Sequence, residues 1–165
     1  MRSGKGYFLT GLLCLVLLLS GCKSAKKISP ADQPSTVRLT LLAEPNTNPN
    51  RKGEATPTEI AVVYLSDDSK LLAADYDQLR SKTLKKTLSK NYIDHQEYTL
   101  LPGQFKPVLP VDLVKNNSYL GVIAYYANAN RSEWKKIIKI NGVGHQYNVL
   151  IHVRKNEVEL RKEEE

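Results

Sequence analysis

The sequence has almost no cysteine. Cys14 and Cys22 both fall within the first 22 of 165 residues, so no disulfide framework and no cysteine-based zinc site holds the rest of the chain together. Metal-binding spacing is missing as well. His95, His145 and His152 are far apart, and no HExxH, CxxC or His-x-His occurs. There is no GxSxG, and no cysteine after residue 22 is left to act as a nucleophile. Gly103, Gly121, Gly142 and Gly144 are scattered and build no phosphate-cradling loop. The acid pairs Asp67/Asp68 and Asp75/Asp77 are accounted for by charge complementarity at a helix N-terminus and by a solvated helix face. The residues therefore point to no catalytic group, no cofactor and no metal. Nothing repeats at a fixed period.

What is present is positive charge: 24 Lys and Arg against 17 Asp and Glu, a formal +7. With 41% apolar and 25% charged residues the chain is neither disordered nor polytopic-membrane in type. A basic chain rich in tyrosine invites a nucleic-acid reading, but the pattern argues against it. Tyr125 and Tyr126 are adjacent, so on a strand they face opposite sides and form no stacking platform. Lys82, Lys85, Lys86 and Lys90 fall on a helical stretch, where a solvated face is the ordinary explanation.

The front of the chain specifies a compartment. Arg2 and Lys5 precede an apolar run of 12 residues, Phe8 to Leu19, broken only by Thr10 and Gly11. Such a run covers about 18 Å as a helix, short of the ~30 Å hydrocarbon core. A cleaved export signal fits better than a membrane span. The junction Leu19-Ser20-Gly21-Cys22 matches the bacterial lipobox, in which the cysteine thiol is diacylated and the chain is cut just before it. Two or more acyl chains anchor stably where one does not. Residues 1–21 are thus expected to be a signal peptide that is removed, and residues 22–36, with Pro30 and Pro34, a lipidated flexible tether. Residues 37–165 are expected to form one domain. Lys23, following Cys22, is compatible with sorting to the outer membrane, facing the periplasm.

The expected domain reads as mainly β. Val37–Leu41 alternates, and Glu59–Leu65 is apolar and β-branched. Between them the stretch from Glu44 to Thr58 carries Pro45, Pro49, Pro57, Gly53 and three asparagines, too long for a hairpin turn. Helical spacing runs from Leu71 to Lys90, with a break possible at Ser81. Strands return at Tyr98–Leu101, Phe105–Leu109, Ser118–Tyr126, Trp134–Ile140, Gln146–Val153 and Glu157–Leu160. This predicts a two-sheet β-sandwich of seven to eight strands with a short helical insertion at about 70–90. Trp134, Tyr119 and Tyr125 read as packing residues, and His152 as an outward strand residue.

The ordered set of features resembles a known family. A lipobox and first strand are followed by Asn48-Pro49, Gly53 and Pro57, then Val63-Tyr64-Leu65 and Leu72-Ala73-Ala74-Asp75-Tyr76-Asp77-Gln78-Leu79. After these come Leu101-Pro102-Gly103, the strand Tyr119–Tyr126, and Trp134. The chain resembles the TssJ (SciN/VasD) lipoproteins of the type VI secretion system from about Val37 to Leu160. The resemblance implies a transthyretin-like sandwich and a non-enzymatic role. It implies an anchor on the outer membrane through Cys22 that captures the periplasmic domain of TssM. Carried onto this sequence, the TssM-binding loop comprises Asn46, Asn48, Pro49, Asn50, Arg51, Lys52, Gly53 and Pro57. The sequence departs from the family where Tyr64-Leu65 stands for Tyr-Gln-Leu and where Tyr126 replaces an arginine. From the residues alone, a periplasmic ligand-binding or envelope-maintenance lipoprotein and a lipoprotein enzyme both stay open, and the loop could be an ordinary surface loop.

Replacing Cys22 with Ser removes the acylated thiol. The protein is then expected to move from the membrane fraction to the soluble fraction on cell fractionation; retention in the membrane would exclude lipidation at this position.

Overall fold

A computed structural model describes residues 29–164. Nine strands are present among them: β1 (Thr36–Ala43), β2 (Thr58–Leu65), β3 (Tyr92–Leu100), β4 (Phe105–Pro107), β5 (Val111–Asp112), β6 (Tyr119–Tyr125), β7 (Lys135–Lys139), β8 (Gln146–Val153) and β9 (Val158–Glu164). Two short helices, α1 (Ser69–Ala73) and α2 (Ser81–Leu88), follow β2. The strands make two sheets. One runs β4-β1-β8-β9 with β5 also on β1; the other runs β3-β2-β6-β7. β1 lies parallel to β8 across eight residue pairs, while the other strand pairings are antiparallel.

The two sheets face each other over one core. β1 alternates, sending Val37, Leu39, Leu41 and Ala43 inward, and β8 answers with Tyr147, Val149, Ile151 and Val153. β2 behaves differently, being buried along almost its whole length. Ile60, Val62 and Tyr64 enter the inter-sheet core, while Ala61, Val63 and Leu65 lie under the helices with Leu71, Leu79, Leu84 and Leu88. A strand covered on both faces needs a continuous apolar run, which Glu59–Leu65 supplies. The helical segment is therefore a third layer over the second sheet rather than an appendage.

The helical stretch expected over Leu71–Lys90, with its break at Ser81, is two short helices, because Ala74 and Arg80 take extended backbone conformations. A one-turn 3-10 segment, Asp77–Leu79, lies between α1 and α2 and carries buried Leu79. Polar clips hold this layer down. The Tyr76 hydroxyl donates to the Tyr126 carbonyl at 2.9 Å, and the Tyr125 hydroxyl to the Leu79 carbonyl at 2.7 Å. Lys135 Nζ donates to the carbonyls of Leu71, Leu72 and Ala74 at 2.9, 2.8 and 3.0 Å, satisfying the open C-terminal carbonyls of α1. Gly121 on β6 lets α1 approach, since a Cβ there would lie 2.4 Å from Leu71 Cδ2. Tyr119, Tyr125 and Trp134 pack against this layer.

Three expectations change in detail. β3 starts at Tyr92, because its polar residues Asp94, His95 and Gln96 belong to an edge strand with little core to face. A two-residue strand, β5, raises the strand number to nine among the described residues. Residues 30–34, read as part of the tether, are exposed, yet the Gln33 carbonyl accepts from the Gly144 amide at 2.8 Å. Pro34 bridges to Val143, and Ser35 is fully buried with its hydroxyl accepting from the His145 amide at 3.0 Å.

Leu84 sits fully buried between α2 and the sheet. Leu84→Ala is expected to destabilise the whole domain by about 2–5 kcal/mol, read as a lowered midpoint of one cooperative urea transition. A separate early transition would instead show that the helical layer folds independently.

A candidate docking loop at one end of the sandwich

The connection between β1 and β2 springs from two of the most buried positions in the chain, Ala43 and Thr58. Its base is stitched tightly. Thr47 Oγ1 bonds the Thr58 hydroxyl at 3.2 Å and donates to the Arg154 carbonyl at 3.1 Å, and both threonines are fully buried. The Thr56 amide donates to the Thr47 carbonyl at 3.2 Å, continuing the hairpin outward.

Asn48 is the keystone of the loop. It is 6% exposed and adopts φ 46°, a left-handed conformation that asparagine tolerates better than most residues. Its Nδ2 donates to the Pro57 carbonyl at 2.9 Å and its Oδ1 accepts from the Ala127 amide at 2.7 Å. Its own amide donates to the Lys155 carbonyl at 3.0 Å. Through its side chain and its amide, this one residue ties both legs of the loop to the β6–β7 connection and the β8–β9 turn.

Asn50 organises the tip. Its Oδ1 accepts from the Lys52 and Glu54 amides at 2.9 and 3.0 Å, while Nδ2 donates to the Glu54 carboxylate at 2.8 Å. The Gly53 amide closes the turn onto the Asn50 carbonyl at 2.9 Å, and Gly53 itself needs its φ of 84°. The outcome is a loop ordered by its own hydrogen bonds that presents Arg51 and Lys52 to solvent.

A charged network braces the base from the outer face of the first sheet. Arg154 Nε meets Glu44 Oε1 at 3.0 Å and its Nη1 meets Glu159 Oε1 at 2.7 Å. Hydrogen bonding from Arg154 holds the Glu159 carboxyl below its ordinary range, and bonding to Glu44 raises the Arg154 guanidinium. His152 lies half-buried and outward between the same carboxylates, 3.8 Å from Glu44 and 3.7 Å from Glu159.

Of the residues singled out from sequence, Asn46, Arg51, Lys52, Gly53 and Pro57 are exposed, Pro49 and Asn50 are half-buried, and Asn48 is buried. The Asn48 side chain therefore shapes the loop and presents no surface of its own. Cys22 lies outside the described residues. Sequence reading missed Thr47, whose partners are local Thr58 and distant Arg154, and it missed an open cleft of about 700 Å³ beside the loop. Glu44 and Asn46 line that cleft with Arg131, Arg154, Lys155 and Glu157. No local signal in the sequence joins segments so far apart.

Among the described residues no three potential metal-ligating side chains converge. A Ser-x-x-Lys spacing exists at Ser132–Lys135, but the ammonium is held by α1 carbonyls while Ser132 Oγ donates to the Asn128 carbonyl. No helix among the described residues is long and apolar enough to cross a membrane.

Residues 35–156 match the family model described as type VI secretion lipoprotein, VasD, EvfM, TssJ. The chain belongs to this type VI secretion lipoprotein family. The T6SS lipoprotein TssJ1 of Pseudomonas aeruginosa is similar to it with a TM-score of 0.73 and 25% identity, covering 79% of this chain and 97% of that one. Serratia marcescens Lip, a membrane-bound component of the type VI secretion system, gives a TM-score of 0.66 at 22% identity, with coverages of 79% and 98%. A chain in the structure described as T6SS protein TssM C-terminal domain from EAEC gives 0.61 at 20%, with coverages of 76% and 97%. These last two likenesses concern the fold. No match was found among curated protein sequences. The lipoprotein family is not one of enzymes, and the two-sheet sandwich is its fold.

Asn48→Ala would leave the Ala127 amide and the Pro57 carbonyl unpartnered and strain a left-handed position. The variant is expected to lose about 1–3 kcal/mol in thermal unfolding and to become cleavable by protease within residues 49–56. Unchanged stability and resistance would show that the loop does not depend on this residue.

Proposed function

We propose that this lipoprotein is anchored to the outer membrane by acyl chains on Cys22, faces the periplasm, and captures the periplasmic domain of TssM through the loop at residues 46–57. The role is structural: it fixes the type VI membrane complex to the outer membrane without catalysis. Membership of the secretion lipoprotein family supports this reading, as does similarity to a chain in a structure described by TssM. The observation that carries the loop assignment is its preorganisation. Asn48 and Asn50 fix both legs and the tip, so docking costs little conformational entropy. Arg51 and Lys52, exposed at the tip, are placed to steer toward an acidic surface of the partner.

The loop also projects from a useful end. Residues 34 and 35 join the domain beside Val143 and His145, at the start of β1, whereas the loop leaves from the end of β1. A chain tethered at one end of the sandwich thus offers the loop at the other.

The double variant Arg51→Glu with Lys52→Glu changes only exposed side chains. It is expected to leave stability within about 0.5 kcal/mol and to slow association with the TssM periplasmic domain about tenfold at low salt, read by biolayer interferometry. An unchanged association rate would exclude the loop tip from the encounter.

A further inference from the structure

Positive charge on the folded domain is concentrated in one place. Residues 29–164 hold 19 Lys and Arg against 16 Asp and Glu, a net +3. Residues 80–90 alone contribute Arg80, Lys82, Lys85, Lys86 and Lys90, with no acid among them, so the rest of the domain is net negative. All five are exposed on the solvent side of α2 and the turn that follows, opposite buried Leu84 and Leu88.

Intramolecular partners do not account for this grouping. Arg80 reaches Asp77 only at 3.9 Å, where both side chains are well exposed, and lies 5.3 Å from the Tyr76 ring. Lys85 sits 5.5 Å from the Tyr92 ring. Lys82, Lys86 and Lys90 make no ion pair with a described residue. Glu59 borders a shallow groove with Arg80 and Lys82 without pairing to them, and Asp67, the acid facing Lys90, is bonded to Ser69 and Asn91. The helix dipole favours Lys85 and Lys86 in the last turn but opposes Lys82 in the first. Lys82 and Lys86 are four apart and repel. An arrangement locally unfavourable and chemically uniform is suited to an external anionic surface.

The stretch runs from Arg80 and Lys82, beside Glu59 and Tyr125, to Lys90, and its Lys90 end indicates which surface. Just after Lys90, the Asn91 carbonyl accepts from the Ser66 amide at 3.0 Å. Neighbouring bonds at 2.9 Å then link Ser118 to Leu65, Ile140 to Ser118, and Ser35 to Gly142. Lys90 thus stands on the end of the sandwich where the N-terminal segment enters. Seven residues join Cys22 to Ser29 and span at most about 25 Å when fully extended. Lys23, Lys26 and Lys27 put the same sign of charge along that segment.

We propose that the face formed by Arg80, Lys82, Lys85, Lys86 and Lys90 rests on anionic phospholipid headgroups of the membrane that holds the anchor. The short tether keeps headgroups at high local concentration, so weak, salt-sensitive contacts suffice to orient the domain. The proposal rests on anchoring at Cys22 and is independent of the loop and its partner.

The test uses the full lipidated protein reconstituted in vesicles of phosphatidylglycerol with phosphatidylethanolamine, or of phosphatidylcholine alone, with pulse acetylation of amines read by mass spectrometry. Labelling of Lys82, Lys86 and Lys90 is expected to fall about fivefold in the anionic vesicles, with Lys52 and Lys155 unchanged. The difference should vanish at about 0.5 M salt. In the triple variant K82Q/K86Q/K90Q, Lys85 should label equally in both vesicles. Equal labelling of the unaltered protein in both vesicles would overturn the proposal. So would protection that appears only when a partner protein is added, which would mark an acidic protein surface instead. Failure of the protein to stay on either vesicle would identify the anchor itself as the fault, and the orientation would fall with it.

Discussion

β2 is the strand on which the rest of the structure depends, because it is buried on both faces. One set of its side chains closes the core between the sheets, and the alternate set receives the helical layer. Few substitutions are therefore neutral along Thr58–Leu65, and its first residue, Thr58, is also the root of the β1–β2 loop. The loop inherits its rigidity from that root. A long polar connection would ordinarily be mobile; here one leg starts in the most enclosed strand and the other is pinned through Asn48 to two distant turns.

The sheets were largely readable from the sequence, since alternation on β1 and β8 and the continuous apolar run on β2 are direct imprints of one-sided and two-sided burial. The edge was harder. Asp94, His95 and Gln96 sit in a strand whose outer side meets solvent, so no hydrophobic period marks it. The helical insertion and its break near Ser81 were legible, but the break at Ala74 was not, because Leu71, Leu79, Leu84 and Leu88 keep their spacing and stay buried on the sheet although Ala74 and Arg80 leave the helix.

The β1–β2 loop was visible as a composition and invisible as a mechanism. Asparagine and proline announce a turn-rich connection, yet nothing local separates Asn46, which is exposed, from Asn48, which is enclosed by backbone groups 79 residues away. The same limit hid the charged brace, where Glu44 and Arg154 are 110 residues apart. The lysines of α2 show the converse. Their outward face follows from spacing alone, but only the fold reveals that the basic stretch runs from beside Glu59 and Tyr125 to the end where the chain enters, at Lys90.

The parallel pairing of β1 with β8 has a consequence for the order of assembly. β1 is the first strand among the described residues, and its longest partnership is with residues 146–153, more than a hundred residues further along the chain. Closing a connection of that length is slow compared with forming a local hairpin. The first strand must therefore wait, with its pairing incomplete, until β8 has been made. The first sheet closes only when two segments a hundred residues apart meet.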